Sequence, residues 1–237
     1  NVKFGVIISS PKLGTADPTY SDFSGTWTTT GTKVVESSQV VTATIDTSGT
    51  TNQFTTFDLG STLDSTWVLR YKQNVTTNDI VMGSSQAGAI YVGLSDTASI
   101  GGEHMGSGAS TLYQRMRHIS GNWYINGFDI RVRDGSSTTG SSTSGAVLSR
   151  GAQTFYVEIV KNGASSTVKY FSDSTFETQI GSTLTVNGTG SGSSLRYLGI
   201  NAYNDTISSG SLVVACSEFK IWNNATSTDN VVTVPNG

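Results

Sequence analysis

Leu112 to Arg133, LYQRMRHISGNWYINGFDIRVR, is the stretch whose reading decides the fold. It reads as two strands joined by a tight turn at Ser120-Gly121-Asn122. A two-residue loop at Gly121-Asn122 would set Arg115 and Arg117 among Phe128, Ile130 and Val132. A three-residue loop, with Ile119 opposite Trp123, separates charge from apolar surface. Leu112, Met116, Tyr124, Phe128, Ile130 and Val132 then face one way. Tyr113, Arg115, Arg117, Trp123, Asp129, Arg131 and Arg133 face the other. Strand side chains alternate with period two, so a one-residue slip would reverse them all, and the apolar pattern selects the second register. Gln114, His118 and Asn126 are misfits on the apolar face, as Ile119 and Ile125 are on the charged one.

Four of the chain's seven arginines thus share one face of one hairpin, beside Tyr113 and Trp123. Guanidinium is a planar donor matched to carboxylate, sulfate or phosphate, and an aromatic ring offers a flat surface to a sugar or a cation. Two readings follow. Tyr113, Arg115, Arg117, Trp123, Arg131 and Arg133 form a platform for an acidic glycan, or the arginines pair with Asp129 on a solvated face.

The rest of the chain supports an all-β protein. Charged residues are 13% of its 237 positions, against about a quarter in an ordinary domain. Ser and Thr number 69 and Gly 27, a composition that favours strands and turns, and no long stretch has the apolar period of a helix. The net charge of −3 argues against nucleic acid as a general partner. No run approaches the ~18 apolar residues of a membrane span. The lone Cys216 permits no internal disulfide and, within LVVACSEF, reads as a small buried residue. A start at Asn1 fits an exported, processed protein of the extracellular space or cell surface.

Strand patterns recur with turn signals between them, among them QVVTATID, TWVLRYKQN, AIYVGL and the hairpin AQTFYVEIVK-NG-ASSTVKYF. Ala89 to Leu94 is almost wholly apolar, as a strand covered on both faces would be. Ser95 to Ser110 is a Gly-rich loop whose Asp96, Glu103 and His104 lack metal-site spacing, and so reads as solvated. Asp134 to Gly151 opens nearly pure in Gly, Ser and Thr and reads as a flexible loop. About fifteen strands of this kind make a two-sheet antiparallel sandwich, a jelly roll, with extra terminal strands. The divisions are an N-terminal strand and linker (1–21), the jelly-roll domain (22–225) and a C-terminal tail (226–237).

Several segments together resemble the concanavalin A-like superfamily, its laminin-G-like modules in particular. They are SDFSGTW, TWVLRYKQ, YVEIVKNGASSTVKYFSD and the closing SEFKIWNNATS. In that last strand Glu218, Phe219, Lys220, Ile221, Trp222 and Asn223 match the pattern, while Ser217 stands where it usually has an acid. The resemblance implies two curved sheets, with lectins, adhesion domains and polysaccharide-cleaving enzymes among the relatives. It also implies one structural calcium, carried over to Asp22 and Glu218.

The enzymatic branches of that superfamily fit poorly. Its glucanases need an acid and a nucleophile ~5 Å apart on one strand. The five Glu here are scattered, and Asp129 and Asp134 differ in parity. Its lyases use Arg, His and Tyr, for which Tyr113, Arg115, Arg117 and His118 are the right types, but His118 points away from the arginines. The expected function is therefore non-enzymatic: an extracellular jelly-roll subunit that self-assembles into an appendage or coat through a terminal strand and adheres to glycans, with a free-standing or tethered lectin-like module as the alternative and a polysaccharide lyase as a minor one.

The structural reading rests on VKFGVII, where Val2, Phe4, Val6 and Ile8 share one face and Ile7 lies on the other. Such a strand either folds back on its own sandwich or completes the sheet edge of another copy, which would build a homo-oligomer or filament. In the closing strand, Phe219 and Ile221 are expected in the core, in line with Val213, Ala215 and Ser217.

Overall fold

The computed structural model describes residues 16–48, 50–82, 88–106, 108–117, 125, 127–135, 137–144, 148–188, 194–204 and 207–228. Val2, Phe4, Val6, Ile7 and Ile8, and with them the terminal strand proposed for assembly, lie outside the described residues, as do His118, Trp123 and Tyr124.

Strands β1 to β4 are Trp27–Thr30, Val34–Ser37, Val40–Asp46 and Thr50–Asp58. Strands β5 to β8 are Thr66–Asn78, Val81–Met82, Gly88–Ser95 and Thr111–Arg117. Strands β9 to β12 are Gly127–Asp134, Ser137–Ser144, Gln153–Asn162 and Ser165–Phe171. Strands β13 to β16 are Gln179–Asn187, Tyr197–Asn204, Ile207–Ser209 and Ser211–Asn223. One seven-stranded antiparallel sheet, sheet I, has the order β1-β4-β14-β7-β8-β9-β10. A second, sheet II, has the order β13-β12-β11-β5-β16-β3-β2, and β15 pairs with β6 apart from both. The two large sheets face each other over one core, the expected jelly-roll sandwich.

The core follows from alternation. Val41, Ala43 and Ile45 of β3, Leu69, Tyr71 and Val75 of β5, and Phe155, Val157 and Ile159 of β11 all point inward from sheet II. Leu112, Met116, Phe128, Ile130 and Val132 meet them from sheet I. Gln114, the misfit on that face, is resolved by a polar bridge between the sheets. It donates to Gln73 at 2.9 Å and accepts from the Tyr170 hydroxyl at 3.3 Å. A buried amide is tolerated when its partners are present.

Within β8 and β9 the hairpin keeps its predicted faces but not its predicted pairing, and Ile125, expected on the charged face, lies in the core. Leu112 lies opposite Val132 and Arg115 opposite Asp129, two residues along from the expected register. A shift of two leaves every side chain on its original face, so the apolar pattern fixes the face but cannot distinguish these registers. Two further expectations are corrected. The Gly/Ser/Thr-rich stretch after Asp134 contains β10, an edge strand paired along β9. Main-chain hydrogen bonding requires no apolar side chains at a sheet edge, so composition hid the strand.

The other correction concerns β16. Leu212, Val214 and Cys216 are in the core, and Val213, Ala215 and Ser217 are not. Phe219 and Ile221 are in the core as expected. A bulge reconciles the two halves: pairing with β5 jumps between Ser217 and Lys220, and Glu218 takes a positive φ of 57°. One extra residue reverses parity, so the inward set runs on even numbers before the bulge and odd numbers after it. Burial pushes the Cys216 thiol up to about 12.

Residues on both sides of the expected domain boundaries are attached to the sandwich. Tyr20 pairs with Ile221 across two main-chain hydrogen bonds, Trp222 donates its indole N–H to Ala16 at 2.7 Å, and Ala16 N–H bonds Thr228 O at 2.7 Å.

One surface pair sets a pH dependence. The Asp46 carboxyl is held down at about 2, first by the Lys33 ammonium and then by the hydroxyl and N–H of Ser48. A free Asp titrates near 3.9, so this stabilisation is complete above pH ~4 and is lost as pH falls towards 2. Asp46→Asn should melt lower than the parent at pH 6, with the two curves converging near pH 2. Parallel melting curves across that window would rule the linkage out.

Candidate functional site

The arginine face is the outer face of sheet I. At its centre is Asp129, fully buried among guanidinium groups. Arg115 Nε donates to both its oxygens at 3.0 and 3.2 Å, and Nη2 adds a third bond at 2.5 Å. Arg131 Nε reaches the same carboxylate at 3.2 Å and Arg117 Nη1 at 3.4 Å. The cross-strand register makes this possible by setting Asp129 opposite Arg115. Burial opposes the charge on Arg115, but the hydrogen bonds and field of Asp129 outweigh it and hold the guanidinium above its ordinary value.

The six residues expected to form a platform separate into distinct roles. Tyr113 is fully buried, Arg115 and Arg133 nearly so, and Trp123 lies outside the described residues. Arg117 and Arg131 keep partly exposed side chains, at 34% and 18%. Tyr113 is hidden because the 95–110 loop, expected to be solvated, lies over the sheet instead. Ile100 and Met105 of that loop cluster with Phe54, Tyr91 and Tyr113. Asn201 of β14 donates to Ile100 O and Gly102 O, both at 2.7 Å, and Thr56 to Ala98 O at 3.1 Å. A Cβ on Gly199 would stand 2.4 Å from Ile100 Cδ1, so a larger residue there would push that side chain aside. The doubly apolar strand Ala89 to Leu94 is thereby explained: its second cover is this loop. Burial also pushes the Tyr113 phenol upward.

Asp22 and Glu218 do not make a calcium cage with their neighbours. Asp22 accepts from Ser24 N–H at 2.9 Å, and Glu218 pairs with Lys72 at 3.3 Å. Among the described residues no group of three His, Cys, Asp or Glu side chains could hold a metal. Calcium takes six to eight oxygens, so two carboxylates with other partners fall short.

The outer face of sheet II carries a feature the sequence reading missed. Two adjoining hollows, of about 570 and 770 Å³, share Arg70, Thr175 and Phe176. Strands β5, β11 and β16 form the floor, and the 172–178 loop forms one wall. Arg70 bonds Glu158 Oε2 through Nε at 2.8 Å and Nη2 at 2.6 Å. The Phe176 ring lies 4.2 Å from the Arg70 guanidinium carbon and edge-on to Tyr156 at 6.0 Å. Asp173 organises that loop by accepting from Thr175 N–H, Glu177 N–H and Thr178 N–H. The Thr175 hydroxyl, which also donates to it, and then the Thr178 N–H hold its carboxyl below the usual range. Phe176 is thereby fixed at φ 58°, a left-handed conformation that costs a bulky residue about 1–3 kcal/mol. The Asp173-Ser-Thr sequence is an Asx-turn signal that could have located the loop.

No protein-family model matches the chain, and no curated protein matches it by sequence. Solved structures do match. The legume lectin-like domain from Entamoeba histolytica superposes with a TM-score of 0.54 at 11% identity, over 84% of this chain and 90% of that one. The exoplasmic/lumenal domain of VIP36, in its Ca2+/Man3GlcNAc-bound form, gives 0.55 at 12% identity over 88% and 86%. The CBM2 module of the evolved Dit of Lactobacillus casei BL23 phage J-1 gives 0.50 at 12% over 82% and 81%. Identities this low carry the fold alone. With its two facing seven-stranded sheets, the chain has the two-sheet jelly-roll fold of these structures.

Proposed function

We propose that this jelly roll is a non-enzymatic, extracellular carbohydrate-binding protein whose arginine face takes an acidic glycan. The observation that carries the reading is the charge built into β8 and β9. Four arginines share two strands with two acids, Asp129 and Asp134, and the partly exposed heads of Arg117 and Arg131 border the buried Asp129. A glycan carboxylate or sulfate arriving there meets the guanidinium groups of Arg117 and Arg131 on a rigid base. Tyr113 and Arg115 hold that base in place and do not touch the sugar. Binding is favoured over lyase chemistry because Tyr113 is fully buried beneath the 95–110 loop, out of reach of a substrate.

The test is titration of the intact protein with alginate, pectate and sulfated oligosaccharides at low and high salt. Arg117→Gln/Arg131→Gln should weaken binding about tenfold or more and flatten its salt dependence. If the parent binds none of them, the reading fails, and a steady ultraviolet absorbance rise on alginate or pectate would replace it with a lyase. Calcium and a chelator, added in turn, test the Asp22 and Glu218 expectation through the melting temperature.

Self-assembly through Val2, Phe4, Val6, Ile7 and Ile8 is the finer form of this reading. Deleting residues 1 to 10 should abolish assemblies seen by light scattering, and their persistence would remove the strand as connector.

A further inference from the structure

The groove on sheet II has a chemistry opposite to that of the arginine face. Its cationic side chains are Arg70, Lys72, Lys169 and Lys220. Its anionic side chains are Asp17, Glu158, Glu177 and Glu218. Four against four leaves the groove with no net charge, and the two signs alternate along it through the pairs Arg70–Glu158, Lys169–Glu158 and Lys72–Glu218. A polyanion or polycation gains nothing from such a surface. A hydroxyl-rich neutral chain does, because each sugar hydroxyl both donates and accepts, and the wall offers ammonium donors beside carboxylate acceptors.

Apolar contact is supplied as well. Half-buried Tyr156 and Phe176 stand edge to face in the groove, with Trp222 buried beside Arg70. Flat rings of this kind, with a few convergent polar groups, are what a pyranose face requires. The positive φ of Phe176 is the second, independent observation. The loop spends backbone strain, anchored by Asp173, to hold that ring over a guanidinium already fixed by Glu158. Strain of this sort gathers where a side chain is presented for use.

We infer that the outer face of sheet II is a second saccharide site, specific for a neutral hexose or pentose polymer and independent of the arginine face. Tyr156 and Phe176 stack on the sugar rings, and Lys72, Lys220 and Glu218 bond the hydroxyls. With binding surfaces on opposite sides of the sandwich, one molecule bridges an acidic and a neutral glycan.

The test titrates the intact protein with neutral oligomers of glucose, xylose, mannose and galactose, following heat and backbone amide shifts. At least one oligomer should bind with shifts at 156, 172–178 and 220. Its affinity should change less than about twofold between low and high salt, unlike that of acidic glycans. Tyr156→Ala should weaken it about tenfold, and Arg117→Gln/Arg131→Gln should leave it unchanged. Lys220→Gln, at an exposed position, provides a second weakened variant if an aromatic change disturbs the loop. The inference is overturned if no neutral oligomer binds at ~10 mM, or if shifts map to β8 and β9 instead. Loss of acidic-glycan binding alone overturns the arginine-face reading and leaves this one standing.

Discussion

Replacing Phe219 by alanine is expected to cost about 3–5 kcal/mol of unfolding free energy. The ring is 3% exposed and touches three others, with centroids 5.6 Å away at Tyr71, 5.8 Å at Phe23 and 6.2 Å at Trp27. These rings come from the first described segment, from β1, from the centre of sheet II and from the closing strand, so they cannot close together over the gap. Deleting the side chain removes its transfer energy and leaves a cavity. Urea unfolding monitored by tryptophan fluorescence measures the loss. A value below about 1 kcal/mol would show that the bulge at Glu218 does not set the parity described here. Phe219→Leu should cost much less, since most of the volume remains.

Asp129→Ala should be of similar size, about 3–5 kcal/mol, for a different reason. Removing the carboxylate leaves Arg115 buried without its bidentate partner, and Arg117 and Arg131 facing it across a short gap. Most of the cost is the desolvation of that guanidinium, not the worth of the lost bonds. A double-mutant cycle separates the two contributions. Arg115→Met/Asp129→Leu removes both charges and should recover much of the stability lost in Asp129→Ala. Additive losses would mean that Asp129 is held by Arg117 and Arg131 and not chiefly by Arg115.

The sandwich was legible because apolar alternation is a direct consequence of one sheet face meeting the core. Val41, Ala43 and Ile45, or Phe155, Val157 and Ile159, show it without ambiguity. The pattern fixes register only modulo two, and so the hairpin's faces were readable while its pairing was two residues off. Parity also fails where the backbone inserts a residue, and nothing in ACSEFK announces that Glu218 is a bulge. Composition misled at β10, whose Ser, Thr and Gly pair along β9 as a strand. The platform was half legible. Four arginines on one face were evident, but Arg115 and Tyr113 are buried by Asp129 and by the 95–110 loop folding back over the strands it joins, and no alternation pattern encodes that cover. The groove on sheet II was not legible at all. Its residues are separated by up to about 200 positions and meet only after β5, β11 and β16 pair.

The burial of Cys216 makes the protein its own stopwatch. Only a thiolate attacks an alkylating reagent, and burial at the centre of β16 suppresses ionisation as well as access. With no second cysteine in the chain, every labelled molecule records one excursion in which β16 left its place between β3 and β5. The speed of maleimide incorporation under native conditions therefore reads the opening equilibrium of the central strand. A glycan that fastens either face should slow that clock without touching the sulfur.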